Sequence, residues 1–291
     1  MCAINLQLVI SLKYAFVVNS NAGRGSTLEA WAALVQRVDE LFDNYTVVLD
    51  RGSIPENADV VVAVGGDGTV NYVVNYLMSS GCGAALGVLP LGSGCDFARN
   101  FAIDDWLENL SSGRSKKIDI GEVEINGHKS WFANVADAGI GAKVTELMSN
   151  NSRNYLLTTL RALLSYKNVD VKLEADGVQI YSGGLKCLAI ANGKYFGDGM
   201  GIAPDAVLDD GLLQYVIVGN ISRLVAAIKL QQTYKCTHIK HPHVHYGSAR
   251  ELRLEADGPL GLEVDGELSG GLGLSTQCYI RALPSALAMV S

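Results

Sequence analysis

The hydrophobic pattern of this chain changes character near residue 115, and that change divides it in two. Ahead of it, short apolar runs rich in β-branched residues, at 14–18 (YAFVV), 45–49, 60–64 (VVVAV) and 84–89, predict strands of a parallel sheet buried on both faces. Helical patterns lie between them. One begins at Ser26 or Thr27 and reaches about residue 42, with Trp31, Leu34, Val35, Val38 and Leu41 on one face; another covers 70–78. Only residues 50–59, with Gly52 and Pro55, join the second and third strands. Extended, they reach about 33 Å, so they can recross a sheet without a helix.

Beyond residue 115 short alternating runs are separated by turn dipeptides, Asn126-Gly127 and Asp176-Gly177 among them. They predict hairpins of a mostly antiparallel domain. Helices are expected at 142–166, broken near 150–154, at 222–232, and at 282–290 as a short closing element. The fold class is therefore two-domain, α/β plus β: a doubly wound, Rossmann-like domain at 1–116, rejoined by 280–291, and a β-sandwich domain at 117–279.

Each of three strands in the first domain ends in a small polar loop before a helical pattern. The loops are 19–25 (NSNAGRG), 65–69 (GGDGT) and 90–99 (PLGSGCDFAR). Glycine-rich turns at helix starts bring backbone N–H groups close to an anion, so strand, glycine turn and helix together suit phosphate. In a doubly wound sheet such loops converge at the carboxyl edge. Asp67 is out of place beside phosphate unless a divalent cation lies between them.

Composition narrows the choices. At 291 residues with 48% hydrophobic and 18% charged residues the chain is long enough for two domains, and a net charge of −7 argues against nucleic acid. Six cysteines without CxxC spacing fit a reducing cytoplasm. Residues 2–12 are apolar but lack the basic start and cleavage pattern of a leader, and no run is long enough to predict a membrane-spanning helix. His241, His243 and His245 alternate, but Pro242 interrupts them and no acid or cysteine is near in sequence, which argues against zinc.

The motifs in combination resemble the diacylglycerol kinase catalytic family, particularly its soluble bacterial lipid kinases, with sphingosine kinases as relatives. The resemblance rests on the three loops, 137–144 (DAGIGAKV), 192–214 (NGKYFGDGMGIAPDAVLDDGLLQ) and 264–267 (VDGE), in the family's order. It implies an NAD kinase/phosphofructokinase-like first domain and an ATP- and Mg²⁺-dependent transfer of phosphate to a lipid hydroxyl, diacylglycerol-like. The lipid would be met at a membrane surface by transient peripheral contact. The same resemblance implies site residues. Asn19, Gly65, Gly66, Asp67, Gly68, Thr69, Val70, Asn71, Gly92 and Ser93 would contact ATP. Glu267 would be the general base, with Asp265 beside it and Asp67 holding catalytic Mg²⁺. Asp210 with the carbonyls of Val207 and Leu212 would hold a second, structural Mg²⁺.

The chain departs from the family pattern at Ser20, where proline usually stands, at Tyr72, where glutamate is common, and at Cys95, where asparagine is usual. The 50–59 link also lacks the family's second helix. Two rival readings follow: a non-catalytic or slow nucleotide- or lipid-binding descendant, and an NAD-kinase-like small-molecule kinase.

Overall fold

The computed structural model describes residues 12–149, 155–222, 225–226, 230–273 and 276–291. Strands β1 (Tyr14–Val18), β2 (Tyr45–Leu49), β3 (Val60–Gly65) and β4 (Ala85–Pro90) run parallel in the order β2-β1-β3-β4. Helices α1 (Ser26–Leu41) and α3 (Trp106–Ser111) cover one face, where Tyr14, Phe16, Val18, Val60, Val62 and Val64 point. Helix α2 (Asp67–Ser80) covers the other, against Ala15, Val17, Val61 and Ala63. Burial on both faces is why these strands read as uninterrupted apolar runs. Residues 50–59 make the recrossing with turns and no helix. Helix α2 starts at Asp67, not at Val70, so the glycine turn is shorter than the sequence pattern predicts and Asp67 sits in the first helical turn.

The second domain follows with β5 (Ser115–Ile125), β6 (His128–Phe132), β7 (Val135–Gly139), α4 (Ile140–Ser149) and α5 (Tyr155–Ser165). Then come β8 (Val169–Ala175), β9 (Val178–Leu185), β10 (Cys187–Ala191), β11 (Tyr195–Phe196), β12 (Met200–Gly201) and β13 (Leu213–Val218). The last strands are β14 (Val244–Ala249), β15 (Glu251–Ala256), β16 (Leu260–Val264), β17 (Glu267–Leu272) and β18 (Gln277–Val290). A sheet of order β14-β13-β10-β7-β16-β17 packs on the far half of the first sheet, and Phe132, Leu173, Leu188, Leu213, Leu252 and Ile280 fill the space between. Hairpin turns Asn126-Gly127, Asp176-Gly177 and Asp265-Gly266 each have positive φ at both positions, the primed-turn geometry that matches strand twist.

The tail at 282–290 is a strand and not the closing helix its alanine and leucine content suggests. Strand β18 pairs antiparallel with β5 and β15 and parallel with β4 through Met289 and Leu86, so one ten-stranded sheet spans both domains. Pairing with three strands and burial of Leu287 and Met289 override helix propensity. The expected break at 150–154, residues 223–224 and 227–229 of the expected 222–232 helix and residues 2–11 lie outside the described residues, while 225–226 and Gln231–Tyr234 are helical. Among the described residues no helix is long and apolar enough to cross a membrane.

Ile280 pairs with Leu252 on one side and Val123 on the other. Ile280→Pro removes a ladder N–H from a strand bonded on both sides and should cost about 3 kcal/mol or more. Urea unfolding followed by circular dichroism should show the loss in both domains together.

Candidate active site

The three glycine loops meet at the carboxyl edge of the parallel strands. Asn19 Nδ2 donates to Thr69 Oγ1 at 3.1 Å, joining the first loop to α2. The Gly92 N–H donates to the Gly65 carbonyl at 3.0 Å, joining the third loop to the second. The contact is backbone on backbone: a Cβ on Gly92 would lie 2.5 Å from Gly66 N. Thr69 and Val70 are buried at the helix start, and Ser93 is exposed on the third loop. Together the loops form a shallow cradle at the N-terminus of α2, where partial positive charge favours an anion.

Carboxylates hold this cradle to the second domain. Asp67 accepts the N–H groups of Asp96 and Phe97 at 3.0 and 2.9 Å. Asp96, buried, accepts those of Asp198 and Gly199 at 2.8 and 2.7 Å, with the Arg99 guanidinium 3.1 Å away. Residues 197–199 all have positive φ, so this turn needs such an anchor. Burial, with help from Asp67, pushes Asp96 up to about 6. Asp265 accepts the N–H groups of Ala133, Asn134 and Val135 at 2.8 to 3.0 Å. Burial raises it to about 7 against the pull of those three donors.

Asp265 therefore clasps the β6–β7 connection, and its oxygens are directed to backbone, not to a reacting group as expected. Asn71 also departs from expectation. Its amide, with that of Asn75, donates to the Trp131 carbonyl, docking α2 on β6 and not on the loops. Glu267 lies against the start of α2: its Oε1 is 3.1 Å from the position a Cβ on Gly68 would take. A residue 200 positions from the glycine turn is thus brought against it by the β16–β17 hairpin. Asp210 Oδ1 accepts the Leu212 N–H at 3.0 Å, and the 207–212 turn is pinned by buried Asp119, which accepts the Gly211 N–H and donates to the Leu208 carbonyl, both at 2.6 Å.

The three departures from the family pattern each have a structural job. The Ser20 N–H and hydroxyl both donate to Asp50 Oδ1 at 2.8 Å, and a proline could not supply the first. Tyr72 packs on the α2 core with the Arg51 guanidinium 5.7 Å over its ring. Cys95 has φ of 53° and directs its thiol to the Gly65 and Gly92 carbonyls. Burial raises that thiol to about 11, so it stays protonated and unreactive. His241 and His243 lie in the turn before β14, and His245 packs edge-on against Tyr181.

A cavity of about 330 Å³ opens beside the cradle, lined by Asp67, Ser93, Asp96, Asn134, Asp137 and Glu263 among others. Through Gly141 and Phe196 it adjoins an apolar pocket of about 120 Å³ lined by Ile140, Val144, Leu163, Met200 and Val218.

Residues 13–123 match the diacylglycerol kinase catalytic domain, and residues 134–291 match the YegS C-terminal NAD kinase beta sandwich-like domain. The chain belongs to the diacylglycerol kinase family. It is 30% identical to the diacylglycerol kinase of Staphylococcus carnosus (strain TM300) over 76% of this chain and 74% of that one. The Staphylococcus aureus (strain JH9) diacylglycerol kinase is 31% identical over 75% and 70%. A diacylglycerol kinase structure from Bacillus anthracis str. Sterne superposes with a TM-score of 0.68 at 19% identity over 96% of both chains. An Archaeoglobus fulgidus NAD kinase in complex with ATP gives 0.53 at 15%, covering 96% and 93%. These likenesses establish the two-domain NAD kinase-like fold.

Asp96 and Asp137 stand in motifs that carry the resemblance but have no role assigned from sequence, and Asp119 and Glu263 are not marked at all. Their signal is an acid at a position whose neighbours are buried and apolar, as in 117–121 (KIDIG), 135–139 (VADAG) and 260–264 (LGLEV). Among the described residues no group of three or more His, Cys, Asp or Glu side chains is arranged to enclose a metal. Mg²⁺ needs less, since it keeps several waters and takes one or two carboxylates plus phosphate oxygens, and Asp67 offers such a hard donor at the cradle.

Two outcomes follow. Gly92→Ala should force the second and third loops apart, lowering stability by about 1 to 3 kcal/mol in urea melts and weakening ATP-dependent thermal stabilisation. Asp265, raised in the folded state, binds its proton between about pH 4 and 7 while the unfolded chain does not. Its contribution is fully present below about pH 4 and is lost as pH rises through 7, by on the order of 4 kcal/mol. The stability difference between the native chain and non-titrating Asp265→Asn should shrink over that window and stay flat above it.

Proposed function

We propose that the protein is a lipid kinase that uses ATP and Mg²⁺ to phosphorylate a lipid hydroxyl. The observation that carries this reading is the placement of Glu267 against Gly68, a carboxylate facing the first turn of a phosphate-type helix start. An alcohol is a weak nucleophile, and phosphoryl transfer gains mainly from positioning and charge neutralisation. The N–H groups of residues 66–68 and of Ser93 receive the triphosphate, and Glu267 takes the proton as the acceptor oxygen bonds to the γ-phosphorus and the bond to ADP breaks. When bound near Asp67, Mg²⁺ neutralises the phosphate charge. A second ion at Val207, Asp210 and Leu212 would add to a turn that Asp119 already forms.

The adjoining pockets support a lipid acceptor. The polar cavity suits a head group beside Glu267, and the apolar pocket beyond Gly141 suits the start of an acyl chain. Such a substrate is met at a membrane surface, which makes transient peripheral contact part of the proposal.

Purified protein with labelled ATP, Mg²⁺ and a lipid panel should yield phospholipid. Glu267→Gln should lower kcat at least 100-fold while ATP-dependent thermal stabilisation persists, and Asp67→Ala should abolish turnover. Undiminished product from both variants would sink the mechanism. Phosphorylated dinucleotide from NAD, with no lipid product, would select the NAD-kinase-like alternative.

A further inference from the structure

A pair of carboxyl groups on the cavity wall is left over once the phosphate cradle and base are assigned. Asp137 on β7 and Glu263 on β16 stand opposite each other in the antiparallel ladder. Both line the cavity, at 2% and 8% exposure. Burial, together with the charge of Glu263 opposite, holds Asp137 far above the usual carboxylate range. Glu263 is further held by the Thr145 hydroxyl.

One oxygen has nothing. Asp137 Oδ1 is buried and has no hydrogen-bond partner. It lies over Gly141, where any Cβ would overlap it, and Gly141 also lines the cavity at the entry to the apolar pocket. An unpaired buried acceptor costs about 1 to 3 kcal/mol, more when charged, so a site that keeps one gains by receiving a donor. Turn Asp265-Gly266, which also lines the cavity, links Glu263 to Glu267.

We propose that Asp137 and Glu263 form a head-group subsite that receives a second hydrogen-bond donor of the lipid acceptor, a hydroxyl or an ammonium near the hydroxyl that is phosphorylated. This deepens the lipid-kinase reading and rests on it. Diacylglycerol has only the reacting hydroxyl, and its ester oxygens are acceptors, so it leaves Asp137 Oδ1 unpaired. A head group with a vicinal diol or an amino alcohol satisfies it. A site built to pair with such a donor discriminates strongly against an analogue that lacks it.

The test compares kcat/KM in mixed micelles for diacylglycerol, monoacylglycerol as the diol, and a long-chain amino alcohol, for the native chain and the near-isosteric Asp137→Asn and Glu263→Gln. The expected result is at least a tenfold preference of the native chain for the diol or the amino alcohol, collapsing to within threefold in one or both variants while their melting temperatures stay native-like. Equal kcat/KM on all acceptors in the native chain, or a preference unchanged in both variants, overturns the subsite. The diol and amino-alcohol arms separate a hydroxyl from an ammonium as the donor. Should no lipid be phosphorylated, the lipid-kinase reading fails on its own. Binding of the same micellar lipids, followed by tryptophan fluorescence, then decides the subsite: a native preference lost on Asp137→Asn supports it, and no preference overturns it.

Discussion

The cleft depends on carboxylates that accept backbone N–H groups from distant parts of the chain. Asp67 at the start of α2 holds the third loop, Asp96 on that loop holds the 195–201 hairpin, and Asp265 on the β16–β17 turn holds the connection into β7. Asp119 does the same for the 208–211 turn and for the bulge in β18 through the Ser285 N–H. A charge-assisted bond to backbone is roughly twice as strong as a neutral one, and a buried carboxylate is costly without such partners. Each clasp therefore both fixes a loop and needs that loop.

This arrangement explains how loops with little apolar content keep one shape. Glycine permits the close approach of the 65–69 and 90–99 segments but contributes no side-chain packing, so position has to come from hydrogen bonds. The same wiring joins the two halves of the molecule. Asp67, Asp96 and Asp265 lie on the cavity wall, and the segments they hold come from both domains. The continuous sheet through β18 supplies the rigid frame, since the strand that ends the chain lies between the parallel strands and the sandwich. Cleft geometry is thus set by pairing in the sheet and refined by the carboxylates.

Family membership and the wear on its motifs fit together. Ser20, Tyr72 and Cys95 replace residues the family pattern favours, yet each contributes to holding the cradle or its rim: an N–H to Asp50, a face for Arg51, a thiol bridging two carbonyls.

Much of this was legible in the sequence for a physical reason. Strands buried on both faces must be apolar throughout, helices with one buried face must show a 3.6-residue period, and turns with positive φ must use glycine, asparagine or aspartate, so these elements mark themselves. The glycine loops, the phosphate-type helix start and the remote Glu267 could be named from such marks and from resemblance. Tertiary structure alone decided three things: that 282–290 is a strand, that Asp265 and Asn71 bond to backbone groups of the β6–β7 region, and that Asp137 lies opposite Glu263. Each depends on what lies opposite a residue across the ladder or the cleft. A local pattern carries no information about a partner more than 100 residues away. The direction of a side chain between two elements is fixed only when both are packed.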